Sequence, residues 1–212
     1  MLLTLATTCK ATSATGETVD RVVASVENVA ITQSDVEKQY RLELFLSGQT
    51  PEAEPDSASL RYVRDRLVDQ LLLQQEAETE TGEMPDFFQA AAEAWEEVRA
   101  KYGNEELFRS ALARLGMSEQ EVLARLRVQE RTLYLVDERL RPAAWAELSE
   151  IEEYYPETFV PEYERRGAGT PPPLEEVEGR IREILVQKKI DQLLPIWLEE
   201  LRTGRRVKIH SF

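Results

Sequence analysis

The sequence predicts a mainly helical fold of about six or seven helices with a small antiparallel sheet, formed by an N-terminal hairpin and a C-terminal strand. Residues 22–31 are rich in valine and isoleucine, as strands are. Apolar residues then recur every three or four positions over most of the chain, which is typical of amphipathic helices. The segment Val207–Ile209 again alternates between apolar and polar residues. Because an isolated hairpin is marginal in water, we expect this last strand to pair with it.

The first elements are the hairpin and a helix that follows it directly. We expect the hairpin to turn at Glu27-Asn28, since asparagine tolerates a positive φ. Thr32 and Asp35 have the spacing of a capping box, which predicts that a helix begins there. Two prolines in the segment 49–57 end this helix.

Three amphipathic helices are predicted next. The second helix, over 59–78, has the clearest apolar stripe of the chain. The third begins near Pro85 and is closed by Gly103. A short fourth helix covers 104–115.

A fifth helix opens with a second capping box, at Ser118 and Glu121. Its apolar residues recur at helical spacing, and we expect Leu133 to lie on this buried seam. Pro142 kinks or ends the helix.

The C-terminal third is predicted to hold two helices and the closing strand. A sixth helix, over 149–164, is expected to be distorted by Pro156. The last helix spans 174–203, where Pro195 should bend it and Gly204 should supply the left-handed residue that ends it. His210 falls on the polar side of the strand, so we interpret it as a surface residue.

Composition and charge exclude several classes of function. The 212 residues carry 26 basic and 40 acidic side chains, and the net charge of −14 argues against nucleic acid as a partner. With one cysteine, Cys9, and one histidine, His210, the chain forms no internal disulfide, no cysteine-based zinc site and few of the usual catalytic triads. No P-loop sequence is present, which agrees with independence of ATP. We expect no metal and no cofactor, and an enzyme of this composition would have to use carboxylate, lysine, tyrosine or serine side chains.

Five Glu-Glu pairs suggest one enzymatic alternative. They are Glu96-Glu97, Glu105-Glu106, Glu152-Glu153, Glu175-Glu176 and Glu199-Glu200. Adjacent side chains on a helix point about 100° apart, so these carboxylates do not converge on one substrate atom. A di-iron bundle would also need Glu-x-x-His sequences on two helices. We therefore interpret the pairs as solvated helix faces.

The segment 1–18 precedes the predicted domain. Its apolar run is shorter than the about 20 residues that a membrane helix needs, so we predict no integral membrane span. One interpretation is a signal remnant. Residues 5–9 are also similar to a bacterial lipoprotein cleavage box, which would attach lipid to Cys9, although Ala6 stands where leucine is usual. The alternative is a flexible linker with an incidental cysteine.

Four segments, taken in order, resemble one known family. Residues 19–26 read Val-Asp-Arg-Val-Val-Ala-Ser-Val and are followed by Asn28, Ile31-Thr32 and Asp35. Residues 149–155 read Ser-Glu-Ile-Glu-Glu-Tyr-Tyr, and the long helix from Leu174 and the strand Val207–Ile209 come after them. This order resembles the chaperone core of the SurA and PpiD-like family of periplasmic folding factors. The likeness covers about residues 19–210.

The chain departs from that family in one large segment. The relatives usually carry a parvulin prolyl isomerase between the Tyr-Tyr helix and the last helix. Here only a short loop, 156–173, occupies that place, and the chain has neither a Gly-Gly-rich parvulin signature nor a pair of histidines. The resemblance therefore implies a chaperone core domain over 19–212, with its terminal segments packed together and without isomerase or other enzymatic activity.

The resemblance implies an ATP-independent holdase of the bacterial periplasm that shields unfolded or outer-membrane-bound polypeptides in an apolar cradle. The candidate client-binding residues are aromatic side chains that the helices cannot all bury: Tyr40, Phe45, Phe87, Phe88, Trp95, Tyr102, Phe108, Tyr154, Tyr155 and Phe159. For each of them the alternative is an ordinary place in the core. The alternative function is structural or assembly work, in which the same apolar surface is a permanent protein interface or a homodimer contact.

Overall fold

The computed structural model describes residues 20–51, 54–79, 85–167 and 169–212 and is mainly helical, as the sequence predicts. The strands are β1 Val22–Val26, β2 Val29–Thr32 and β3 Val207–Ile209. The helices are α1 Gln33–Leu46, α2 Ser57–Thr79, α3 Phe88–Ala100, α4 Glu105–Leu115, α5 Glu119–Leu140, α6 Leu148–Tyr154, α7 Val160–Arg165 and α8 Leu174–Gly204. A 3-10 turn at Arg141–Ala143 follows α5. The predicted segment 1–18, with Cys9, lies outside the described residues.

The three strands form one antiparallel sheet in the order β2-β1-β3. Ala24 in the central strand pairs with Ile31 on one side and with Ile209 on the other. The C-terminal strand therefore pairs with the N-terminal hairpin, which confirms the predicted closure of the chain. His210 is exposed just beyond β3, as expected, and its backbone N–H donates to the carbonyl of Val23 at 2.9 Å.

The turn of the hairpin differs from the prediction in one residue. Glu27, not Asn28, takes the left-handed conformation, with a φ of 50°. Arg206 holds Glu27 in place, because its backbone N–H and its Nε donate to the Glu27 carboxylate at 2.9 and 3.1 Å. The Glu27 N–H in turn donates to the carbonyl oxygen of Arg206 at 2.9 Å. Tertiary hydrogen bonds therefore offset the local cost of a positive φ at a glutamate.

Both predicted capping boxes are present. Thr32 is the N-cap of α1, and its side chain and that of Asp35 accept each other's backbone N–H groups. Ser118 and Glu121 do the same at α5. The expected left-handed end of α8 at Gly204 is wrong, because the helix includes this glycine and ends where Arg205 turns to an extended conformation with φ −130° and ψ 160°.

The segment after the Tyr-Tyr sequence is helical over much of its length. A π-helical turn at Tyr155–Phe159 joins α6 to α7 without a break, which confirms the sixth helix predicted over 149–164. The segment 156–173, given as a short loop where the relatives carry a parvulin domain, is therefore helical as far as Arg165. Pro156 stands in this π turn, and the predicted distortion is therefore confirmed. With this bent helix counted as one, the described residues form seven helices.

The core lies in several connected clusters. The inner side of the sheet packs on α2 through residues that include Val23, Val26, Val68 and Leu72. An aromatic cluster joins α1, α3, α4 and the start of α5. A third cluster packs the second half of α5 against α2 and α8. These contacts place α1 beside α2 and α2 beside α5, and the candidate site opens between these three helices.

Candidate functional site

Two clefts open where α1, α2 and α5 meet. The first, here called the α8 cleft, lies between these helices and α8 and has a volume of about 340 Å³. The second, the α4 cleft, lies between α1, α2, the end of α4 and the start of α5, and has a volume of about 540 Å³. Both volumes fall within the about 300–1,000 Å³ of typical ligand sites.

The two clefts share five residues and therefore form one groove. The shared residues are Gln39 and Leu42 on α1, Gln70 and Gln74 on α2 and Arg125 on α5. A ligand long enough to pass this junction would contact both clefts. The α8 cleft and the α4 cleft together are called the groove.

The α8 cleft has a buried apolar floor and an exposed apolar wall. Leu42, Leu73 and Val136 line it, and each is buried. On the wall, Leu133 is 54% exposed and Val128 is 40% exposed. Because these two side chains gain little from the fold itself, covering them with an apolar ligand would be favourable.

Glutamines separate the apolar surfaces of the groove. Besides the three at the junction, Gln129 and Gln187 line the α8 cleft. Gln39 is 8% exposed and donates from Nε2 to Glu43 at 3.1 Å, whereas its amide oxygen accepts no hydrogen bond among the described residues. A glutamine amide offers both a donor and an acceptor, which is what a peptide backbone needs from its binding site.

The α8 cleft holds charged side chains of both signs, and Arg125 lines it as well as the α4 cleft. Arg66 lies 3.3 Å from Glu43, and Asp191 accepts a hydrogen bond from Gln187 at 2.9 Å. The α4 cleft differs, since Lys38, Arg41 and Arg125 line it and none of them forms an ion pair with a described residue.

The two carboxylates of the α4 cleft already serve as helix caps. Asp35 Oδ2 accepts from the backbone N–H of Thr32 at 2.9 Å, and Glu121 Oε2 accepts from that of Ser118 at 2.7 Å. The backbone N–H of Ser118, with a smaller contribution from Arg125, holds the pKa of Glu121 below its usual value. Both carboxylates therefore direct these oxygens to the caps.

Five of the predicted client-binding residues are core residues. Phe45, Trp95, Tyr102, Phe108 and Phe159 are at most 8% exposed. Phe45 has its ring within 6.1 Å of those of Trp95, Tyr102 and Phe108, measured between centroids. The expectation that these side chains remain uncovered is wrong, because neighbouring helices supply rings that bury them. Phe159 packs likewise on α8 residues such as Ile181.

The other five predicted residues do not share one surface. Tyr40 is half-buried on α1 beside the sheet, and Phe87 contacts Tyr134 at 5.7 Å between ring centroids. Phe88 is exposed, with Arg127 stacked over its ring. Tyr154 and Tyr155 are half-buried near α8. None of the ten lines the groove.

Sequence reasoning missed the residues that do line the groove. Leu133 was expected on the buried seam of the fifth helix, but it is exposed. The pattern gives its helical face and not whether another element covers that face. One usable signal lies in α2, where Leu71, Leu72 and Leu73 are consecutive. They make the apolar face of this helix wider than packing against a single neighbouring helix requires.

Other exposed apolar side chains are scattered. Tyr62, Leu107, Trp145, Leu148 and Ile196 are each more than half exposed and lie on different elements or connections. Isolated exposed apolar residues are common in soluble folds and need no special explanation. The groove is distinct because exposed apolar residues there continue into a concave floor.

Comparison with known proteins gives no assignment. No protein-family model matches the chain, and no curated protein is significantly similar to it. Within the described ranges, no helix is long and apolar enough to cross a membrane, and no three acidic, cysteine or histidine side chains gather as a metal site requires. The ten residues of the Glu-Glu pairs are all exposed.

Proposed function

We propose that the protein is an ATP-independent holdase-type chaperone of the SurA and PpiD-like kind, acting without isomerase activity. Its groove would hold a segment of an unfolded or outer-membrane-bound polypeptide until the client folds. The observation that carries the proposal is the α8 cleft, where exposed Leu133 and Val128 stand above a buried apolar floor. The proposed location is the bacterial periplasm, and a lipid attached at Cys9 is one way in which the protein would be held there.

Physical features of the groove support weak binding of many sequences. Apolar contacts do not depend on direction, so they accept varied side chains. Glutamine amides at the junction match the donors and acceptors of any extended backbone. Ordering a flexible client offsets much of the gain from burial, so we expect dissociation constants in the micromolar range or weaker.

The test is suppression of aggregation. The full chain is mixed at low molar excess with an outer-membrane protein diluted from denaturant, and light scattering is followed. We expect suppression by the wild type and about tenfold weaker suppression by Leu133→Glu, since one buried leucine contact is worth about that factor. Absence of suppression by a folded wild-type protein would refute the proposal.

Leu107→Glu is the matched control. Leu107 is 56% exposed, as Leu133 is 54% exposed, but it lies on α4 and lines neither cleft. The control variant should suppress aggregation as the wild type does. Circular dichroism spectra of both variants verify that the fold is kept.

A permanent interface is the alternative use of the same surface. A saturable, tight dimer or complex would cover the α8 cleft and leave no room for clients. Analytical ultracentrifugation over a wide concentration range separates the two functions. A monomer that binds peptides weakly supports the holdase, and a dimer that Leu133→Glu dissociates supports the assembly role.

A further inference from the structure

We propose that the groove selects client segments that carry an internal aspartate or glutamate beside apolar residues. This inference rests on the proposed function, since it names the class of polypeptide that the groove prefers. It is carried by the unpaired positive side chains of the α4 cleft and by their position next to the apolar α8 cleft.

The α4 cleft carries basic side chains that form no ion pair with a described residue. Lys38, Arg41 and Arg125 line the α4 cleft without a carboxylate within ion-pair distance among the described residues. Arg41 donates from Nε to the backbone carbonyl of Glu37 at 3.3 Å, which leaves its charge uncompensated. Three basic and two acidic side chains line this cleft, and its unpaired cations attract ligands of negative charge.

The acidic residues of the same cleft do not offset these charges fully. Asp35 and Glu121 direct their oxygens to the backbone and hydroxyl groups of Thr32 and Ser118. Glu121 and Arg125 are one turn apart on α5, and Arg125 helps to lower the pKa of Glu121, but the two side chains form no direct ion pair. A client carboxylate would supply the partner that these cations lack.

The position of Arg125 indicates where the carboxylate lies in the client. Arg125 lines both clefts, so the groove continues on either side of it. A C-terminal carboxylate placed there would leave one cleft empty. An internal acidic residue would instead let the chain continue, with apolar side chains in the α8 cleft against Leu133 and Val136.

The net charge of the whole protein opposes this preference for acidic segments. With a net charge of −14, long-range electrostatics favour basic peptides. A preference for acidic peptides would therefore have to come from the groove itself.

The experiment compares three fluorescent peptides of equal length with leucine-rich flanks and a central Asp-Asp, Asn-Asn or Lys-Lys pair. Fluorescence anisotropy with the full chain should show about tenfold tighter binding of the acidic than of the basic peptide at low salt. The difference should shrink between about 50 mM and about 500 mM salt, because exposed charges are screened.

Two variants locate the preference. Arg125→Gln should weaken binding of the acidic peptide about three- to fivefold and leave binding of the Asn-Asn peptide unchanged. Arg139→Gln is the control, since Arg139 is exposed on the same helix and lines neither cleft. Its binding of all three peptides should equal that of the wild type.

The outcomes separate this inference from the proposed function. If the three peptides bind equally, or the basic one binds best, charge selection is overturned while polypeptide binding stands. If no peptide binds at any salt concentration to a folded protein, both proposals are overturned. A preference for the acidic peptide that survives Arg125→Gln and Lys38→Gln together would also overturn the assignment to the α4 cleft.

Discussion

Tyr102, which the sequence suggested as a client-binding residue, has a structural role. Its hydroxyl lies 2.8 Å from the carbonyl oxygen of Phe45 and 3.1 Å from that of Gln49, at the end of α1. Its ring packs on those of Phe45 and Phe108 at 5.4 and 5.7 Å between centroids. The side chain therefore joins α1 to the α3–α4 connection and fixes the wall on which the groove depends.

Tyr102→Phe tests this role through stability and its pH dependence. The variant should lose about 1–3 kcal/mol in the free energy of unfolding at pH 7, because buried carbonyl groups lose their donor. Burial raises the pKa of Tyr102 to about 12, above the value of about 10 in an unfolded chain. A raised pKa gives stability that is present below about pH 10 and is lost as pH rises towards 12.

The difference in the free energy of unfolding between the wild type and Tyr102→Phe, measured by urea unfolding, should therefore decrease from about pH 10 to about pH 12. Tyr62→Phe is the control, since Tyr62 is 63% exposed on α2. It should match the wild type at neutral pH. A constant difference across this pH range would mean that Tyr102 does not titrate with folding.

At the scale of elements, the sequence predicted where helices and strands lie better than it predicted the tertiary contacts around them. Local signals such as the Thr32–Asp35 capping box act between residues three apart, so they are visible in one segment. The conformation of Glu27 depends on Arg206, which is 179 residues away, and no local rule gives it. Gly204 shows the same limit, because β3 pairing fixes the path of Arg205 and Arg206.

The groove escaped prediction for a related physical reason. Leu133 and Phe45 have the same apolar character and similar helical spacing, yet one is exposed and the other is fully buried. What decides between them is whether a second helix lies over that face. This depends on how the helices pack together, which is a property of the assembled fold and not of any single helix.

Pro195 gives a prediction at this scale. Helix α8 continues through Pro195, although a proline inside a helix lacks an N–H donor and crowds the preceding turn. Because Pro195 is exposed, Pro195→Ala should raise the free energy of unfolding by about 1–3 kcal/mol.

The control for Pro195→Ala is Pro142→Ala. Pro142 is exposed in the first turn of the 3-10 segment after α5, where proline is well tolerated. This second variant should be neutral or slightly destabilised, by less than about 1 kcal/mol. Urea unfolding measures both. No gain from Pro195→Ala would indicate that packing of α8 requires the proline geometry.

For the whole molecule, the joining of the two ends of the domain is the main organising feature. Among the described residues, β3 pairs with β1 alone, and the residues that follow β3 also contact α2. Arg64, which is 8% exposed, donates to the carbonyl oxygen of His210 at 3.0 Å and has its guanidinium 5.5 Å from the ring of Phe212. Arg202 on α8 binds Asp69 on α2 at 2.6 Å. The C-terminus thus secures both the sheet and the helix that forms one wall of the groove.

Removal of residues 207–212 tests this closure. The deletion exposes the edge of β1, leaves the buried Arg64 without the His210 carbonyl and uncovers apolar residues beneath Phe212. We expect a loss of about 3 kcal/mol or more in the free energy of unfolding, and faster amide hydrogen exchange at Ala24 and Val26. Lys208→Ala, an exposed change in β3 that keeps the strand, should leave both measurements unchanged. If the shortened chain kept the stability and the exchange protection of β1, the sheet would hold as the hairpin alone, and the groove would have to owe its shape to the helices without help from the chain ends.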